Sequence, residues 1–157
     1  YCILSNLVFT SLIQKDIKSG FDYLNRIDEQ FTDDLDLKMY KCLLYYFSHE
    51  YTKSKECIAS FLRDVKNSKY HENFIRALKY MMDNKPMKAI DNFETCYQIA
   101  LKNGQYDRAI FVLKQLNELY LDHGLQNKLK KVKELQENFY KMSYANQIIE
   151  DIELKLN

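Results

Sequence analysis

A chain of 157 residues with 46% apolar and 29% charged side chains can bury a substantial core, and its composition excludes a disordered or membrane-embedded protein. The 23 basic and 22 acidic residues leave a formal net charge of +1, which excludes the strongly basic overall surface that grips nucleic acid through its phosphates. Three glycines and one proline are too few for the turns of a sheet-rich chain, so long helices with short connections are expected.

The first segment, Tyr1 to Ile13, is apolar but interrupted by Ser5, Asn6, Thr10 and Ser11, and it carries no basic leader or cleavage site. It reads as a helix over 1–14 that has lost an upstream neighbour, in a chain that starts at Tyr1 without an initiator Met and is expected to be a fragment. No window approaches the run of about 20 apolar residues that a membrane span requires, so no membrane role is expected. Asp16 caps a second helix over 17–30. Thr32, Asp33 and Asp34 then place acidic charge at the positive end of a helix over 34–48. Helices over 51–67 and 70–83 follow. Asn84 precedes a helix over 85–103 with Pro86 in its first turn, where proline is tolerated. Gly104 and Gly124 sit where helices stop and bound segments over 106–122 and 125–142, before a last one over 144–156.

The starts near 1, 35, 70 and 106 repeat every 34–36 residues, which is the length of a tetratricopeptide unit. In the second helix of each pair a row of small residues, Gly20, Ser54 and Ala89 with Leu125 as the exception, marks a close helix crossing. Two further rows fill the groove between neighbours: Leu24, Ile58, Phe93 and Leu129, then Ile27, Phe61, Cys96 and Val132. The first helices carry Val8, Cys42, Ala77 and Leu113, followed by Ser11, Tyr45, Tyr80 and Leu116. The expected fold is all-α: a right-handed superhelix of about four degenerate units over 1–142. A capping or dimerisation helix follows over 143–157, with Ile148, Ile149, Ile152 and Leu156 on one side.

Chemistry-bearing patterns are scarce. There is no G-x-S-x-G, H-E-x-x-H, P-loop or G-x-G-x-x-G, and no Cys–His or Ser–His pair follows from spacing. Acidic neighbours such as Asp33-Asp34 and Glu150-Asp151 do not converge on one substrate from a helix. Cys2, Cys42, Cys57 and Cys96 contain no C-x-x-C pair and read first as small core residues in a reducing cytosol, with a disulfide or metal role as the lesser reading that the separated His49, His71 and His123 do not help. The run Lys128, Lys130, Lys131, Lys133 lacks interleaved aromatics and reads as a solvated helix face. No catalysis, metal or cofactor is therefore expected, and the location expected is cytoplasmic.

In such a stack the first helices line a concave face. Its non-core positions are Ser5, Asn6, Phe9 and Ile13; Met39, Tyr40, Leu43 and Tyr46; Phe74, Ile75, Leu78 and Met81; Ile110, Lys114 and Asn117. A register displaced by one position would make the same residues core. Aromatics and methionines in a groove adapt to apolar side chains, and Asn amides can hold a peptide backbone. The candidate peptide-binding residues are Asn6, Phe9, Tyr40, Leu43, Tyr46, Phe74, Leu78, Met81, Lys114 and Asn117.

The segment Ile3-Leu4-Ser5-Asn6-Leu7 through Ser11-Leu12-Ile13, then Asp16-Ile17 and Tyr23-Leu24, resembles the opening of the C-terminal domain of Rgg-like transcription regulators. These belong, with PlcR-like and Rap-like proteins, to the peptide-pheromone receptors of Gram-positive bacteria. The resemblance implies a degenerate tetratricopeptide superhelix that binds a short imported peptide, with Asn6 holding its backbone. It also implies a homodimer, and DNA reached only through a helix-turn-helix domain missing from this chain. The alternative is a generic interaction scaffold that binds a partner's helix or tail without switching.

Overall fold

A computed structural model describes residues 2–27, 33–138 and 141. Among them the chain is all-α. The helices are α1 (Cys2–Gln14), α2 (Ile17–Leu24), α3 (Leu35–Phe47), α4 (Tyr51–Asp64), α5 (Lys69–Met82), α6 (Pro86–Lys102), α7 (Tyr106–Asp122) and α8 (126–138). The segment expected to cap the stack or form a dimer, 143–157, lies outside the described residues.

One turn, used five times, sets this order. Lys15, His49, Asn84, Gly104 and Gly124 each follow a helix end with φ between 54° and 67°. At each of them two backbone bonds close the last turn. In the first, Lys15 N–H donates to Leu12 O at 3.2 Å and Asp16 N–H to Ser11 O at 2.9 Å; in the last, Gly124 donates to Leu121 and Leu125 to Tyr120. This is the Schellman arrangement, which satisfies helix carbonyls that would otherwise lack donors and turns the chain back at once. Only two of the five sites are glycine. At the other three a side chain tolerates the left-handed conformation at a cost of about 1–2 kcal/mol.

Two helices are shorter than expected. α2 stops at Leu24, and Arg26 and Ile27 continue it only with three-residue bonds to Tyr23 and Leu24. α4 stops at Asp64, where Val65 takes an extended backbone. Because α6 and α7 are joined by a Schellman turn and each runs 17 residues, the repeat gains residues there. Five residues past each turn stand Gly20, Ser54, Ala89, Ala109 and Leu129, all buried. The expected small-residue row is thus correct in the first three pairs. In the fourth it passes through Leu129, not Leu125, whose N–H closes the Gly124 turn instead. The partner row shifts by the same four residues, from Leu113 to Asn117.

Close approach is visible at Gly20, where an added Cβ would lie 2.5 Å from Leu44 Cδ2. At the equivalent site Ser54 Oγ donates to Cys42 O across α3 and α4 at 3.2 Å. One core runs from Val8 to Val132. Its centre is a cluster of rings: Phe74 meets Phe93 edge-on at 5.2 Å and stacks on Phe111 at 5.8 Å. Such pairs add about 0.5–1.5 kcal/mol each beyond the area they bury.

The helices pack in chain order, and α1, α3 and α5 also pack side by side. Side chains of α7 reach all three. Phe111 reaches Phe9 of α1 with centroids 5.4 Å apart, and Phe74 of α5. Arg108 reaches Asp36 of α3, and Glu118 reaches Lys15 at the end of α1. The first and last of these helices therefore meet along a seam about a hundred residues apart in sequence.

Candidate ligand-binding site

The row of first helices was expected to present an open groove, but α7 fills its middle. Leu43, Phe74 and Leu78 are 1%, 0% and 1% exposed and belong to the core; Met39 and Ile75 are buried with them. The physical reason is Phe111. Its ring inserts between Phe9 and Phe74, so the aromatic surface expected to await a ligand is satisfied within the chain.

Among the described residues the seam is open at each end. At the N-terminal ends of the helices a mouth of about 410 Å³ is lined by Ser5, Asn6, Phe9, Asp36, Tyr40 and the stretch Gly104 to Arg108. At the opposite ends a second mouth of about 340 Å³ is lined by Lys15, Ile17, Tyr46, Phe47, Tyr51, Met81 and neighbours. The ten candidate residues divide accordingly. Asn6, Phe9 and Tyr40 come together at the first mouth, and Tyr46 and Met81 at the second. Lys114 and Asn117, half-buried on α7, line neither. Asn117 Oδ1 and Tyr70 Oη are buried without a hydrogen-bond partner among the described residues.

The first mouth is built on a polar clamp that spacing did not announce. Asp36, in the first turn of α3, accepts from His71 Nε2 of α5 at 2.8 Å through one oxygen and from Arg108 of α7 at 2.6 Å through the other. These partners stand 35 and 72 residues away in sequence. Burial opposes ionisation of Asp36, yet the hydrogen bond from His71 and the Arg108 charge hold its carboxyl below the ordinary range. The Arg108 guanidinium also lies 5.1 Å from the centre of the Tyr70 ring. Burial, first of all, pushes the Tyr70 phenol well above its usual value.

Ser68 Oγ sits 2.5 Å from His71 Nδ1, so a Ser–His pair does exist, three residues apart around the start of α5. Ser68, His71 and Asp36 together have the composition of a hydrolytic triad but the geometry of a clamp. The carboxylate is shared with Arg108, and in the neutral ring Nε2–H serves Asp36 while Nδ1 accepts from the hydroxyl. Neither Ser68 nor His71 lines either mouth.

The second mouth is aromatic. Tyr46 packs on Phe47 and Tyr51 with centroids 5.5 and 6.0 Å apart, and His49 Nδ1 lies 2.8 Å from Tyr51 Oη. Burial, then the nearby Tyr51 and Glu118, push the Tyr46 phenol upward.

Compared with protein-family models, curated proteins and solved structures, the chain matches none of them. Among the described residues no group of three His, Cys, Asp or Glu side chains is placed to hold a metal ion, and no helix is long and apolar enough to cross a membrane. In the lysine run, Lys128 Nζ donates to Glu94 at 2.7 Å and lies 5.6 Å from the centre of the Tyr120 ring, while Lys130, Lys131 and Lys133 face solvent.

Proposed function

We propose that this chain is a tetratricopeptide-like sensing domain that binds a short peptide at the mouth between α1 and α7, and that it is the regulatory part of a transcription regulator. The observation that carries this reading is the seam itself. A ligand seated on Asn6, Phe9, Tyr40 and Arg108 touches α1, α3 and α7 together, so its binding bears directly on how the two ends of the helical array are held. The chemistry suits a peptide: Asn6 and Gln105 supply amides for a backbone, and Phe9 and Tyr40 supply an apolar wall. With about 410 Å³ available, the mouth takes a few side chains and leaves the rest of the peptide along the surface. Switching then requires a peptide that binds one arrangement of the seam better than the other. DNA would be reached through a separate domain.

A thermal-shift screen against apolar peptides of about five to ten residues tests this. A peptide at a hundred times its Kd adds about 2.7 kcal/mol of stability, a rise of several degrees for a domain of this size. The shift should disappear in Asn6→Ala. Absence of any shift from a cooperatively folding sample would count against peptide sensing.

A second reading, a protein-interaction scaffold without switching, is favoured by α1. That helix carries no charged residue, and Ile3 is 77% exposed at its start. A partner covering this face would protect Ile3 and Leu7 from solvent and leave the mouth unchanged.

A further inference from the structure

We propose that Cys57 is an oxidant-sensitive modification site and that Cys42 is its resolving thiol, the two closing a reversible disulfide between α3 and α4. Both cysteines are free in the structure. They stand seven residues before and eight residues after His49, the turn residue of the α3–α4 hairpin, so antiparallel packing brings them to nearly the same height. The register is fixed one helical turn away by the bond from Ser54 Oγ to Cys42 O. The two thiols are near enough to shift each other's titration in opposite directions.

Their surroundings divide the roles. Cys42 is fully buried, whereas Cys57 is half-buried and lines a cleft together with Lys38, Lys41 and Ser60. The hydrogen bond from the Cys42 thiol, and then the Lys41 charge, favour the Cys57 thiolate against its partial burial. The Cys42 thiol is pushed strongly upward by that same pairing and by burial, so it stays protonated. Cys57 is thus the thiol an oxidant meets, and Cys42 waits behind it.

The oxidant is a hydroperoxide. The Cys57 thiolate attacks its outer oxygen, the O–O bond breaks, and an alcohol or water leaves after taking up a proton. Cys57 is now a sulfenic acid. The Cys42 sulfur then attacks the Cys57 sulfur, the S–O bond breaks, and the Cys42 proton leaves with the hydroxide as water. Two thiols have lost two electrons and the peroxide has gained them. Cys96, buried with its thiol donating to Tyr70 O at 3.3 Å, has no such neighbour, and Cys2 is exposed.

The test uses Cys2→Ser, which removes the exposed thiol and leaves three of the four cysteines. After treatment with hydrogen peroxide the free thiols should fall from three to one, with loss of two hydrogens in the intact mass. A Cys42–Cys57 peptide should appear in the digest, and dithiothreitol should restore all three thiols. In Cys42→Ala the Cys57 sulfenic acid should persist and be trapped by dimedone. Loss of no thiol, loss of Cys57 alone to an over-oxidised acid, or a cross-link that includes Cys96 would overturn the proposal. The Cys2→Ser digest gives this answer even if the alanine variant folds poorly.

Discussion

Replacing Gly20 by alanine sets two effects of known size against each other. Alanine in place of glycine inside a helix is worth about 0.5–1 kcal/mol through reduced chain entropy. Against this, the new methyl carbon would lie 2.5 Å from Leu44 Cδ2, far inside van der Waals contact, with Ser11 Cβ 3.6 Å away on another side. Leu44 is fully buried, so its methyl cannot swing into water and must displace packed neighbours. Overpacking of this kind costs about 1–3 kcal/mol, so steric cost should win and the variant should lose about 0.5–2 kcal/mol net. Urea unfolding followed by circular dichroism would measure it. Leu44→Ala supplies the internal control: in its background Gly20→Ala should become neutral or stabilising. A Gly20→Ala single variant more stable than the wild type would refute the close crossing of α2 and α3.

Other consequences are equally open to measurement. Phe111→Ala should cost about 3–5 kcal/mol, while Leu121→Ala, 60% exposed on the same helix, should cost about 0.5 kcal/mol or less; comparable losses would mean that α7 is not inserted as described. Because the folded pKa of Asp36 is depressed, its contribution is present above the unfolded value of about 3.9 and is lost as pH falls through the folded value. The stability gap between wild type and Asp36→Asn should therefore be at its full size above about pH 5 and shrink below about pH 4, and a gap independent of pH would exclude the clamp. Gly104→Ala meets no side chain but holds φ at +67°, so it should cost about 1–2 kcal/mol in a thermal melt through backbone strain alone. A neutral result there would mean that the turn is not left-handed.

Much of the architecture was legible because it is local. Helical period, scarce glycine and caps such as Asp16 and Asp34 act within a few residues, and both aspartates do cap, accepting from Ser19 and Leu37. The small-residue row held through Gly20, Ser54 and Ala89 because each stands five residues beyond the same kind of turn. It failed at Leu125 because the α6–α7 connection reuses that turn and lengthens the repeat. Gly104 could have revealed this, since a Gly one residue past a helix end predicts a tight reversal. The binding face was less legible. A pattern of exposed-looking aromatics cannot say whether the occupant comes from outside or from the chain itself, and here Phe111 fills the space between Phe9 and Phe74. The clamp of Asp36, His71 and Arg108 joins three helices, and no local spacing encodes such a meeting.

Everything proposed for ligand sensing rests on the seam between α1 and α7, and a double-mutant cycle on Phe9 and Phe111 tests that contact most directly. With Phe9→Leu, Phe111→Leu and the double variant compared by urea unfolding, rings 5.4 Å apart should show a coupling energy of about 0.5–1.5 kcal/mol. Additive losses, within about 0.3 kcal/mol, would mean that the two helices do not meet and that the inner face is open.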